Sequence, residues 1–187
     1  MATSTLGYGL LGLLARDDLT GYDLSLRMRE PTAYYWYARH GQIYPELAKL
    51  ERAGLVRHTK VRQTERPDKK VFAITPKGRM AVKRWIAAPM PARRPRDELT
   101  LRMYSLWLAD PAAAAAMLTA ELEKHVALVT HYRKVRKETR AAPRAARGKP
   151  DARFSDLVTV ERGVGYERET TRWLRWLIAE LQRGSSS

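Results

Sequence analysis

Gln42, Tyr44, Lys49 and Arg52 place an amide, a phenol and two cations within three helical turns. These groups hydrogen-bond to phosphate oxygens and to base edges, and none is a nucleophile at neutral pH. The chemistry on offer is therefore recognition rather than catalysis. The rest of the chain agrees. There is no cysteine, so no disulfide framework, thiolate metal site or Cys nucleophile exists. No Gly-rich phosphate loop and no His-x-x-x-His pair occurs. His125 and His131 are six residues apart, which does not suit one helical face. No base, nucleophile and oxyanion donor assemble, so an enzyme is not expected, nor a metal or other cofactor.

The element that must carry these residues is a short helix. Ile43, Leu47 and Leu50 recur at i, i+4 and i+7 and form its buried stripe. Pro45 predicts that the helix begins just before it, because only a first turn has N–H groups to spare. Gly54 stops the helix in the left-handed conformation and Leu55 folds back onto the last turn. Gln42, Tyr44, Pro45, Lys49 and Arg52 then remain on the open face, as in a recognition helix. Arg39 and His40 stand at its entrance, within reach of backbone or bases; for His40 direct contact and no contact are both open.

The following residues supply a second basic element. Residues 55–63 alternate apolar and basic positions as a half-exposed strand does, and residues 64–70 form a mainly basic tip. Val71 to Ile74 reads as the returning strand, and Thr75-Pro76 as the cap and first residue of another helix. Arg66, Lys69 and Lys70 at the tip are candidate phosphate or minor-groove contacts, which position a protein without specifying sequence. Upstream, Leu6, Leu10, Leu13 and Leu14 share one helical face. Thr20 and Asp23 form a short capping box for the next helix. Thr20 and Tyr22 are candidate phosphate anchors; equally, Thr20 is a cap alone and Tyr22 a packed aromatic. Tyr34, Tyr35, Trp36 and Tyr37 suit either packing or the stacking of an unpaired base, and packing is the commoner use.

Leu10-Leu11-Gly12-Leu13-Leu14, Leu19-Thr20-Gly21-Tyr22-Asp23-Leu24, Gly41-Gln42-Ile43-Tyr44-Pro45-Glu46-Leu47, Leu50-Glu51-Arg52-Ala53-Gly54-Leu55-Val56 and Val71-Phe72-Ala73-Ile74-Thr75-Pro76-Lys77-Gly78 carry a family resemblance. In this order they resemble the PadR family of bacterial transcriptional regulators, from about Thr5 to Trp85. The resemblance implies a dimeric winged-helix repressor that binds a palindromic operator in double-stranded DNA, with a C-terminal helical dimerisation region. Two features depart from the family pattern. Arg39-His40 stand where a Ser-Pro pair is frequent, and Val71-Phe72 where a Tyr pair is favoured. The operator sequence therefore does not carry over from relatives.

The fold class expected is mainly α with a small β-hairpin wing. An N-terminal winged helix-turn-helix (residues 1–88) is followed by a basic Pro-rich linker (89–96), a helical dimerisation domain (97–183) and a tail (184–187). Asp97-Glu98 opens a helix whose apolar residues, Leu99 to Leu108, predict burial. Asp110-Pro111 begins the next, with Leu118, Leu122, His125, Val129 and Tyr132 in line; residues 141–150 read as a loop. In the last helix Leu157, Val160, Val164, Leu174, Ile178 and Leu181 lie three or four apart, a heptad seam with Glu167 and Thr171 as polar interruptions. A second copy of the chain or its own neighbouring helix can occupy that seam; the first gives the dimer. Tyr104, Trp107, Trp173 and Trp176 form an aromatic-rich surface suited to a small apolar or aromatic effector, although core packing explains them equally.

The 187 residues carry a formal net charge of +15 and a pI near 10.4, which suits a polyanion. No signal segment or membrane span is apparent, so a cytoplasmic protein without a membrane partner is expected. The principal alternative is a basic protein that binds nucleic acid without sequence preference; another is a winged helix that docks on a protein.

Overall fold

The computed structural model describes residues 3–28, 38–62, 68–90, 92, 96–141 and 151–184. The chain divides into two compact units, Met1–Ala92 and Arg93–Ser187.

In the first unit α1 (Thr5–Leu14) leads to β1 (Leu19–Thr20), α2 (Gly21–Arg27), α3 (His40–Arg52), β2 (Val56–Val61), β3 (Lys69–Ile74) and α4 (Pro76–Ala87). The strands form one antiparallel sheet in the order β1-β3-β2. Leu10, Leu11, Leu14, Leu24, Ile43, Leu47 and Leu50 form the centre of the core, closed by Leu55, Val56 and Phe72. Each such side chain contributes about 2 kcal/mol by leaving water, enough to dock helices too short to persist alone. Tyr8 of α1 stacks on Trp85 of α4, with ring centroids 4.8 Å apart.

The end of α3 is as the sequence predicts. Gly54 has φ 69°, its N–H bonds to the Glu51 carbonyl, and the Leu55 N–H reaches the Leu50 carbonyl. Thr75 and Lys77, at the start of α4, donate to the carbonyls of Gly54 and Ala53, so the recognition element is tied to the next helix. The start of α3 differs from expectation. The helix begins at His40 and Pro45 lies inside it. Pro45 leaves the Gly41 carbonyl without its helical N–H partner. The returning strand also begins earlier than expected, so Lys69 and Lys70 lie in β3, not at the tip.

The second unit contains α5 (Glu98–Met103), a 3₁₀ turn (Leu106–Leu108), α6 (Pro111–Ala141) and α7 (Ala152–Gly184). Asp97 caps α5 by accepting from the Thr100 N–H, and Asp110 accepts from the Ala113 N–H at the start of α6. α6 and α7 run antiparallel. Leu118 packs with Leu174 and Leu177, His125 meets Glu167, and Arg136 and Arg140 meet Glu161. The heptad seam is consequently occupied within the chain. Val160, Val164 and Leu174 are buried, and Leu157, Ile178 and Leu181 are half-buried. Glu167 and Thr171 are buried too, at 3% and 5% exposure. Within the single chain these six apolar residues, expected to face a second copy, lie on the face that α7 turns to α6, three of them only half-buried: a 3-4 spacing selects a helical partner without specifying whose helix it is.

The burial expected for residues 99–108 is also revised. Leu99, Met103 and Leu106 pack on the α6–α7 cluster, but Leu101, Tyr104, Trp107 and Leu108 are exposed. Apolar residues surround this short segment, and a single helix pair covers only one side of it. Residues 34–37, 63–67, 142–150 and 185–187, and with them the aromatic cluster, the Arg66 position and most of the expected loop and tail, lie outside the described residues.

Candidate nucleic-acid interface

α3 buries Ile43, Leu47 and Leu50 and exposes Gln42, Tyr44, Pro45, Lys49 and Arg52, the partition that its spacing predicts. Glu46 is buried as well. Its carboxylate accepts a 2.6 Å hydrogen bond from the Ser4 hydroxyl and lies 3.3 Å from the Lys49 ammonium. That pair orients Lys49 without removing it from solvent. Gln42 is partly committed: its side-chain oxygen accepts from the Arg39 N–H at 2.9 Å. Its amide NH2 remains the group offered outward. Arg39 is exposed and supplies the backbone N–H that this cap satisfies; of the His40 residue, the described feature is its place at the first position of the helix.

Tyr44 sits against the backbone at the start of α2. A methyl group added at Gly21 would lie 2.5 Å from Tyr44 Cε1 and 3.0 Å from its phenol oxygen. Only glycine admits the ring there. Thr20, Tyr22, Tyr44, Lys69 and Lys70 line one open groove of about 630 Å³, together with Gly21, Asp23 and Asp68. The structure thus brings five of the ten predicted contact residues to one place. Arg39, Gln42 and Lys49 are exposed at the start and on the outer face of α3, outside that groove lining, and the His40 side chain and Arg66 lie outside the described residues.

Charge within the groove is balanced, since two aspartates stand beside the two lysines. Asp23 is engaged in the cap of α2: the Thr20 hydroxyl and backbone N–H both donate to its carboxylate, at 2.7 and 3.0 Å. These bonds, the side-chain one first, hold its pKa below the ordinary carboxylate value, with smaller help from Lys69 and Arg27 against desolvation. The Thr20 hydroxyl also accepts from the Asp23 N–H. Its donor is committed, which favours the cap reading of Thr20 over the phosphate-anchor reading. Tyr22, in contrast, is 61% exposed.

Sequence reasoning passed over a further set of cations. Arg57, Lys60 and Arg62 are exposed along and just beyond β2, with no ion pair among the described residues. The apolar-basic alternation of residues 55–63 signalled them. His58, between them, is half-buried, 2.5 Å from Glu51 and packed near Phe72. Uncompensated positive charge near the groove therefore lies on β2 and the outer face of α3, flanking a balanced groove. Such an arrangement suits a phosphate backbone on either side of a read segment.

The predicted effector residues differ in their surroundings. Tyr104 and Trp107 are 85% and 81% exposed and Trp176 is exposed too, whereas Trp173 packs on the α6–α7 cluster. Among the described residues no group of three or more His, Cys, Asp or Glu is placed to hold a metal ion, and no helix is long and apolar enough to cross a membrane.

Residues 10–84 match the model of the transcriptional regulator PadR-like family, and residues 95–182 match that of the virulence activator alpha C-terminal region. A probable transcriptional regulator of Mycobacterium tuberculosis is 32% identical over 187 residues, covering 95% of this chain and 97% of that protein. The crystal structure of Bacillus subtilis PadR in complex with operator DNA has a TM-score of 0.82 at 26% identity, covering 95% of this chain and 99% of that one. The structure of the same protein with p-coumaric acid has a TM-score of 0.75 at 25% identity, covering 96% and 99%.

Proposed function

From the premise that this chain belongs to the PadR-like family of transcriptional regulators, a non-enzymatic class, we propose that it is a homodimeric, sequence-specific repressor in the cytoplasm. It binds a palindromic operator and leaves it when a ligand or environmental signal acts. The observation that carries this reading is the partition of α3: its apolar stripe is buried, Gln42, Tyr44 and Lys49 stand on the open face, and Tyr44 lines one groove with Lys69 and Lys70. The relative solved on operator DNA supports that use of the surface. Two copies would set their recognition helices about 34 Å apart, in successive major grooves. The uncovered Leu101, Tyr104, Trp107 and Leu108 supply an apolar surface for pairing. A relative solved with p-coumaric acid supports a small aromatic effector.

The test is selection of bound duplexes from a random DNA pool, followed by titration of the enriched duplex at two salt concentrations. An inverted repeat bound by one dimer, with much weaker binding to scrambled sequence, is the expected outcome. Uniform recovery with only salt-sensitive affinity overturns it in favour of a non-specific binder. In the same assay the double substitution Lys69→Ala, Lys70→Ala should weaken all duplexes alike and reduce the salt slope by about two. Unchanged binding would remove the wing from the interface.

A further inference from the structure

A second cavity lies wholly within the C-terminal unit, between α6 and α7, with a volume of about 360 Å³. Its α6 side is Val126, Val129 and Arg133; its α7 side is Arg168, Arg172 and Arg175. The spacings, i, i+3, i+7 on one helix and i, i+4, i+7 on the other, turn both stripes toward the same cleft. Thr130 and Thr171 complete the lining, and their hydroxyls donate to the carbonyls of Val126 and Glu167. The floor is therefore apolar and the rim is made of guanidinium groups.

The nearby acids neutralise one arginine of that rim. Glu169 pairs with Arg172 at 2.6 Å, while Glu167 is turned to His125 at 2.5 Å. Arg133, Arg168 and Arg175 have no ion pair among the described residues. Three uncompensated cations around an apolar floor favour a ligand with negative charge at one end and a hydrocarbon body at the other. The space exceeds what an inorganic oxyanion needs and falls within the range of small-molecule sites. Guanidinium forks match the planar carboxylate, which they grip through two parallel bonds.

We infer that this cleft binds a small organic carboxylate with an apolar body. The site is separate from the aromatic surface at Tyr104 and Trp107, and it does not depend on the DNA-binding reading. Its test contains no DNA. Calorimetric titration of the full chain would compare 2-naphthoate, its neutral analogue 2-naphthamide, and sulfate. Naphthoate is expected to bind once per chain, at least about tenfold more tightly than the amide. Arg168→Ala and Arg175→Ala should each weaken it by about tenfold, the loss of one charge-assisted bond. Arg168→Lys should recover part of that loss, and Arg162→Ala, whose guanidinium lies over the Tyr166 ring instead, should change nothing. Unaltered thermal unfolding of the variants shows that the site and not the fold has been changed. Absence of naphthoate binding, equal binding of acid and amide, or displacement by equimolar sulfate each overturns the proposal.

Discussion

Tyr44 owes its place to an absent side chain. Its ring occupies the space that any Cβ at Gly21 would need, so Gly21→Ala should displace the phenol while costing little fold stability. Operator affinity is expected to fall about tenfold, measured by gel shift, with the circular dichroism spectrum unchanged. Full affinity in Gly21→Ala would separate Tyr44 from recognition. Thr20 and Asp23 make a different kind of contribution. Their mutual bonds lower the Asp23 pKa, so the stabilisation is present above the ordinary carboxylate value of about 3.9 and disappears as pH falls through the lower folded value. Thr20→Val removes the larger of the two hydrogen bonds. It should lower the melting temperature at neutral pH and flatten its decline between about pH 5 and about pH 2. The cap was legible as a Thr-x-x-Asp spacing. The burial of Glu46 was not, because its partner Ser4 is distant in sequence.

Among elements, α4 and the α6–α7 pair set the limits of tolerance. A methyl group at Gly78 would fall 2.2 Å from the Leu55 carbonyl oxygen. Backbone cannot yield as a side-chain tip can, so Gly78→Ala should destabilise the first unit by about 2 kcal/mol. Chemical denaturation followed through Trp85 fluorescence would measure this. In the second unit Glu167 is a buried carboxylate whose polar partner is His125. His125→Ala leaves that carboxylate without it and should cost on the order of 2–3 kcal/mol in urea unfolding. Arg183→Ala, which breaks the exposed pair with Glu180 and an exposed 3.3 Å bond to the Ala179 carbonyl, should cost less than about 0.5 kcal/mol. Equal effects would show that Glu167 is solvated. Glu167 and Thr171 read in sequence as interruptions of an apolar seam. In the fold they are the polar centre of the helix pair.

For the whole molecule, charge and uncovered apolar surface are the two properties that matter. Nearly half of the excess positive charge lies beyond residue 92, in the unit without recognition helix or wing. Part of it frames the α6–α7 cleft. The apolar surface of Leu101, Tyr104, Trp107 and Leu108 is the proposed pairing face, and Trp107→Glu should shift the dimer toward monomer in sedimentation velocity. Because two joined half-site contacts bind far more tightly than one, operator affinity should fall by at least about a hundredfold in parallel. A dimeric Trp107→Glu protein would place the pairing surface elsewhere.

Local chemistry made much of this protein legible from sequence alone. The α3 stripe, the Gly54 stop, the Thr20 and Thr75 caps and the wing strands each follow from residues close together along the chain. The inward and outward faces of α3 were settled by spacing, because a helix has one period. Tertiary structure decided what spacing leaves open. It placed Tyr44 on Gly21, set two aspartates against the wing lysines and filled the α7 seam with α6. It also exposed the aromatic residues of the 99–108 segment and opened a cleft among four arginines. Each of these outcomes depends on which surfaces meet after long loops close, and periodicity within a segment carries no information about that choice.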